Sequence, residues 1–171
     1  VFNLKRNRDS AGISQKKAEI NIGIGEYHVG ERAMSAIGLG SCIALILHDP
    51  ERCVGGMAHI MLPSSNGNRD RPGKFADTAI PVLIRELESM DCTRRALVAK
   101  MAGGSCMFQN FMGNLNIGER NITAIRNTLE NHGIPVQAED IGGTGGRSII
   151  YYPRNNGRVI LKQAGGEWID I

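Results

Sequence analysis

Glycine placement constrains this chain more than any other feature. Its 22 glycines among 171 residues are clustered rather than scattered. The clusters are Gly23/Gly25, Gly38/Gly40, Gly55/Gly56, Gly103/Gly104, Gly142/Gly143 and Gly145/Gly146, and each borders a short apolar or β-branched run. Glycine reaches positive φ without penalty and lets two backbones come close, so the pattern predicts many short strands joined by tight turns. Strands are expected over 19–24, 27–29, 43–48, 53–61, 96–101, 135–141, 148–152 and 158–162. Asp49-Pro50 starts turns well, which makes a hairpin of the third and fourth runs. The last two read as a second hairpin. Two segments switch to helical spacing. Ile80, Leu83, Ile84, Leu87 and Met90 predict a helix over 77–90 with Pro81 in its first turn. Ile117, Ile122, Ile125 and Leu129 predict another over 116–132, with Asn116 as cap and His132-Gly133 as stop. The helices do not alternate with every strand. The expected fold class is therefore α/β of the α+β kind: layered β-sheets with two main helices on one face, not a doubly wound parallel sheet.

The length is that of one domain. The net charge of +3 resides at the N-terminus, where Lys5, Arg6, Arg8, Lys16 and Lys17 outnumber Asp9 and Glu19. The body is neutral and has no electrostatic footprint for nucleic acid. No apolar run reaches the roughly 18 residues of a membrane span, and Val1–Ile20 lacks the apolar core of a secretory signal. The expectation is a cytoplasmic protein without membrane insertion. Residues 1–20 read as a basic, flexible arm, residues 21–162 as a single domain and residues 163–171 as a tail. Trp168, Ile169 and Ile171 are expected to pack back on the sheet, with a docking peptide as the alternative. Pro63–Gly73 is polar and reads as a loop, the candidate rim of a site.

Cys42, Cys53, Cys92 and Cys106 form no C-x-x-C pair, so neither a zinc site nor a thioredoxin motif is indicated. Thiols rather than disulfides are expected. Cys42 follows Gly38-Leu39-Gly40-Ser41, where turn N–H groups can converge on an anion and hold an oxyanion. Gly55-Gly56-Met57-Ala58-His59 follows one hairpin later. With the turn centred near Glu51, cross-strand partners sum to about 101 or 102, and Cys42 faces His59. A thiol opposite an imidazole suits a nucleophile with a general acid/base. The plain alternative is a buried cysteine and a hydrogen-bonded structural histidine. Cys106 is the main competitor for a reactive thiol. Cys53 and Cys92 read as structural, as do His48 at a strand end and His132 at a helix C-terminus. Gly142–Arg147 lacks the Gly-Lys-Ser/Thr of a phosphate loop and reads as a turn that brings Arg147 to the sheet edge. No metal and no cofactor is expected.

Gly38-Leu39-Gly40-Ser41-Cys42 and Gly55-Gly56-Met57-Ala58-His59-Ile60-Met61-Leu62-Pro63 together resemble the CheD family of chemoreceptor glutamine deamidases. The likeness includes Gly25-Glu26-Tyr27-His28-Val29, Lys74-Phe75-Ala76-Asp77, Lys100-Met101-Ala102-Gly103-Gly104 and Asn116-Ile117-Gly118-Glu119-Arg120-Asn121. It closes with Gly133-Ile134-Pro135, Glu139-Asp140-Ile141-Gly142-Gly143, Gly145 and Arg147, collinear from about Ile22 to Lys162. The resemblance implies a fold similar to the catalytic domain of deamidating toxins. It implies Cys42 as nucleophile, His59 as base and acid, and an oxyanion held by backbone N–H groups at Ser41 and Cys42. It implies deamidation of chemoreceptor glutamines through a thioester, with receptor methyl-ester hydrolysis as a side activity.

One departure bears on the site. The family places a Thr six positions before the Cys, thought to orient the His, and Ala36 stands there. Ser35 is adjacent and is the candidate third member, but one step along a strand points to the other face. A backbone carbonyl orienting His59 is the alternative. Ser105-Cys106 likewise replaces the Ala-Asn expected after Gly103-Gly104. The expected partners are chemoreceptor cytoplasmic helices. The second reading is a binding module for a CheC-type phosphatase, with weak deamidation or none. A thiol redox role is a third, disfavoured because Cys53 pairs far from Cys42.

Overall fold

The computed structural model describes residues 19–106 and 116–171. Most of the basic arm expected over residues 1–20 lies outside them.

The strand β4 (Ile43–Asp49) is buried at every position. Ile43, Leu45 and Leu47 enter one apolar cluster, and Ala44 and Ile46 enter another. Strand alternation sends odd and even residues to opposite faces, so an unbroken apolar run fits only a strand covered on both sides. The strands running up to it are β1 (Ile20–Asn21), β2 (Tyr27–Gly30) and β3 (Met34–Leu39). After it come β5 (Val54–Ile60), α1 (Ala76–Ser89), β6 (Val98–Gly103), α2 (Ile117–Asn131), β7 (Val136–Ile141), β8 (Arg147–Tyr152), β9 (Arg158–Gln163) and β10 (Trp168–Asp170). One sheet has the order β2-β5-β4-β6-β7, the other β1-β3-β8-β9-β10.

Ala79, Ile80, Leu83 and Leu87 of α1 and Ile125 and Leu129 of α2 pack on the Ile43/Leu45/Leu47 face. The opposite face, with Ala44, Ile46 and Met57, meets Met34, Ala36, Leu39, Ile149, Tyr151 and Leu161 of the second sheet. The result is three layers, sheet on sheet with both helices on one outer face, as the sequence predicts.

Two strands escape the sequence reading. In β3 the pairing with β8 shifts between Ala36 and Leu39, and the bulge breaks the apolar alternation. The tail segment Trp168–Asp170 pairs antiparallel with β9, Ile169 opposite Leu161, and so lengthens the sheet by one edge strand. The helix α1 begins at Ala76, so Pro81 stands in its second turn rather than its first. Asn116 caps α2, its side chain accepting from the Glu119 N–H at 3.1 Å.

Candidate active site

The register of the central hairpin decides where the two candidate side chains lie. Ile43 pairs with Ile60, and Ala44 with His59. His59 therefore faces Ala44, not Cys42 as the sequence arithmetic has it. The cause is the turn. Asp49 pairs with Val54 across a four-residue connection in which Cys53 takes the left-handed conformation, φ 54°. Asp49 holds that turn by accepting from the N–H groups of Glu51 and Arg52. The displacement is two residues, and a period of two preserves the face. Cys42, two residues before Ala44, packs against the inter-sheet cluster, and His59, two residues after Met57, sits on that same side of β5.

The imidazole is 3% exposed. Its Nδ1 lies 3.1 Å from the carbonyl oxygen of Ile22. A carbonyl only accepts, so Nδ1 carries the proton and Nε2 presents a lone pair. Among the described residues that buried Nε2 has no hydrogen-bond partner. Ile22 is itself fixed: its N–H donates to the Ser35 carbonyl at 2.7 Å, extending the parallel pairing of β1 with β3. Ser35 thus supports the histidine through its backbone. Met34 and Ala36 face the inter-sheet core, so the Ser35 side chain leaves the strand on the opposite side.

Cys42 is half-buried and packs against that inter-sheet cluster. The turn before it is held by its carbonyls. Gly40 O accepts from Ser105 N at 2.8 Å, Ser41 O from Asn121 Nδ2 at 2.9 Å and Cys42 O from Gly104 N at 2.9 Å. Among the described residues nothing accepts from the N–H of Ser41 or Cys42. A Cβ at Gly103 would overlap the Cys42 carbonyl oxygen, and one at Gly118 would overlap the Gly104 carbonyl. Glycine at both positions lets β6 and the first turn of α2 close on the cysteine turn. Behind them Arg147, 6% exposed, forms an ion pair with Asp140 at 2.7 Å. It also donates to Ser105 Oγ and to the Gly142 and Gly145 carbonyls. The glycine turn 142–146 is therefore bound to the turn before Cys42 through Ser105, whose hydroxyl donates to Gly145 O at 2.6 Å.

Burial pushes the Cys42 thiol above its ordinary value. Burial also lowers His59, against a weaker opposing pull from the Ile22 carbonyl and the Glu26 charge. At neutral pH the two groups are therefore a thiol and a neutral imidazole. A thiol and a neutral imidazole brought within reach of each other exchange a proton as the sulfur attacks, with no standing charges.

The other cysteines lie elsewhere or play other parts. Cys53 is in the turn at the far end of β4, roughly 20 Å from Cys42 at 3.3 Å per strand residue. Cys92 is buried and its thiol is pushed up to about 11, chiefly by burial and then by Asp49. The Cys106 N–H donates to Gly143 O. His48 bonds Tyr151 through Nδ1 at 2.8 Å, and His132 ends α2. Among the described residues no group of three or more His, Cys, Asp or Glu is placed to hold a metal, and no helix is long and apolar enough to cross a membrane.

Two participants have faint sequence signals or none. The Ile22 carbonyl is backbone and leaves no trace in residue type. Asn121 does leave one: it stands four residues before Ile125 and eight before Leu129, a polar residue on the buried stripe of α2.

The profile of the family described as CheD chemotactic sensory transduction matches residues 61–163. A Thermotoga maritima protein named chemoreceptor glutamine deamidase CheD is 44% identical over 152 residues, 88% of this chain and 96% of that one. An Archaeoglobus fulgidus protein named probable chemoreceptor glutamine deamidase CheD is 44% identical over 156 residues, 89% of this chain and 99% of its own. A Clostridium botulinum protein with that same name is 41% identical over 154 residues, covering 86% of this chain and 94% of the relative. With a family profile over more than half its length, and relatives matched almost end to end, this chain belongs to the CheD family.

Proposed function

We propose that this chain deamidates glutamine side chains of chemoreceptors, with Cys42 as nucleophile and His59 as base and acid. The observation that carries the site assignment is His59 itself. Its Nδ1 is tied to Ile22 O, and among the described residues its buried Nε2 lacks a partner on the face that Cys42 shares. His48 also has a buried, unpartnered Nε2 among the described residues, but it stands at the turn end of the hairpin, whereas His59 shares the open end with Cys42.

The thiol attacks the side-chain amide carbon while Nε2 takes its proton. Ser41 and Cys42 N–H groups hold the resulting oxyanion. His59 returns the proton to the departing nitrogen, ammonia leaves and a thioester remains. Water then attacks the thioester, giving one proton to Nε2. The carbon–sulfur bond breaks, the proton goes back to sulfur, and glutamate is released. A receptor methyl ester reaches the same acyl intermediate with methanol as leaving group. In this reading the protein works in the cytoplasm, at the receptors' cytoplasmic helices. Residues 21–162 carry this chemistry, with the basic arm before them, the tail adding β10 to the sheet edge and Pro63–Gly73 at the rim of the site.

A receptor cytoplasmic fragment incubated with the protein gains glutamate at specific glutamines, followed by mass spectrometry, and loses that gain with Cys42→Ala. Full activity in Cys42→Ala sinks the assignment. Ala36 at the family's Thr position favours a second reading, a regulatory module for a CheC-type phosphatase. In that case a pull-down captures CheC while the receptor fragment stays unchanged.

A further inference from the structure

We infer that Asn121 is a positioning residue that sets the separation between the Cys42 and His59 strand ends; this rests on the Cys42–His59 reading. Asn121 is fully buried. Its Nδ2 donates to Ser41 O at 2.9 Å and to Met61 O at 3.0 Å. Ser41 immediately precedes the nucleophile, and Met61 lies two residues beyond the histidine. The reverse orientation of the amide would set Oδ1 against two carbonyl oxygens, so the donor is Nδ2.

The place of this contact in the hairpin gives it meaning. The ladder of β4 and β5 ends with Ile43 opposite Ile60. Beyond that pair the strands part. The Met61 and Leu62 N–H groups donate instead to Lys74 O, at 2.9 and 3.1 Å. Asn121 stands where the next rungs would be. One side-chain amide bridges two strand ends that no longer bond each other, so their spacing is that of the amide and not that of a sheet. Gly118, one turn earlier on α2, abuts the Gly104 carbonyl and holds the helix at that depth.

Among the described residues Asn121 Oδ1 is buried without a partner. An apolar side chain of similar volume would fill the space without that unpaired acceptor. What only the amide supplies is the pair of donors facing opposite strands. Proton transfer from sulfur to Nε2 depends steeply on their separation, and a misplacement of about 1 Å in such a site can cost about 10²-fold in rate.

The test follows the rate of Cys42 alkylation by iodoacetamide against pH, read by peptide mass spectrometry, in the wild type, His59→Ala, Asn121→Ala and Asn121→Ser. All are held well below their melting temperatures. The wild-type profile has an inflection where His59 titrates, and His59→Ala lacks it. Asn121→Ala loses the same inflection with His59 still present, and kcat for the receptor fragment falls about 10²-fold while KM stays within about twofold. Asn121→Ser keeps a donor for one carbonyl, recovers part of the inflection, and gives the reading if Asn121→Ala does not fold. A lowered melting temperature with the inflection intact in the Asn121 variants overturns the inference and leaves the Cys42–His59 pair standing. An inflection that survives His59→Ala overturns the pair, and the inference with it.

Discussion

The proton on His59 Nδ1 fixes what the site can do with pH. Burial holds the imidazole below its ordinary value of 6.5 and the Cys42 thiol above its ordinary 9.0. Between those two titrations the working form is the neutral pair. Deamidation, read as kcat/KM on a receptor fragment, should rise with pH through an acid limb below 6.5, run flat across neutrality and change again only above 9.0. A standing thiolate–imidazolium pair would instead hold the thiol below its ordinary value and the imidazole above its own, and activity would fall again as the imidazolium loses its proton. An alkaline fall in kcat/KM that sets in below 9.0 rejects the neutral pair. Cys42 and His59 are legible in the sequence because each follows a glycine pair, Gly38/Gly40 and Gly55/Gly56, and the two lie at the same open end of one hairpin. Their orienting groups are not. Ile22 acts through a carbonyl that any residue would supply, and Ser35, the nearest hydroxyl to the family's Thr position, supports the site through its carbonyl alone. Ser35→Ala should therefore keep deamidation within about twofold of wild type in a kcat measurement, since strand alternation directs the hydroxyl away from the imidazole. A loss of an order of magnitude or more would return Ser35 to the site.

At the scale of elements, the first turn of α2 reverses an ordinary rule. Alanine replacing glycine inside a helix normally stabilises by about 0.5–1 kcal/mol. At Gly118 the added Cβ would overlap the Gly104 carbonyl and press on Ser105 O at 3.0 Å. Both targets are backbone and cannot swing aside. Gly118→Ala should cost about 1–3 kcal/mol in urea denaturation, the range for overpacking, and slow Cys42 alkylation as the cysteine turn shifts. A gain in stability would mean that α2 slides freely on β6. The same close packing explains which elements the sequence discloses. Where burial is continuous, as along β4 and β5, or follows one period, as along β8 and both helices, the apolar pattern finds the element. The strand β3 joins Ser, Ala and Gly to a bulge, so neither propensity nor alternation marks it. The edge strand β10 is exposed at all three residues, and it is held by ladder bonds to β9 instead of by burial.

For the whole molecule, packing on both faces of the central sheet leaves three histidines with depressed proton affinity. His28, His48 and His59 are all lowered, chiefly by burial. His48 and His59 stand on the inter-sheet face of neighbouring strands, at opposite ends of the hairpin, and His28 on β2 pairs with Met57. In the unfolded chain each of these takes up a proton near 6.5, whereas in the folded chain it does so only at lower pH. Between those points the unfolded state binds more protons, so stability rises with pH. The three contributions are fully present above 6.5 and are lost as pH falls through it toward the folded values. The urea midpoint should thus drop between pH 7.5 and pH 5, with an unchanged m-value. His48→Gln separates this from general acid effects. It forfeits the bond from Nδ1 to the Tyr151 hydroxyl and starts from a lower midpoint at pH 7.5. It then loses less on acidification than the wild type, because one of the three groups no longer titrates. A wild-type midpoint that holds or rises down to pH 5 would mean that these imidazoles are solvated enough to take up protons in place. The sheets would then be packed more loosely than the burial of Tyr151, Met57 and Ala44 between them requires.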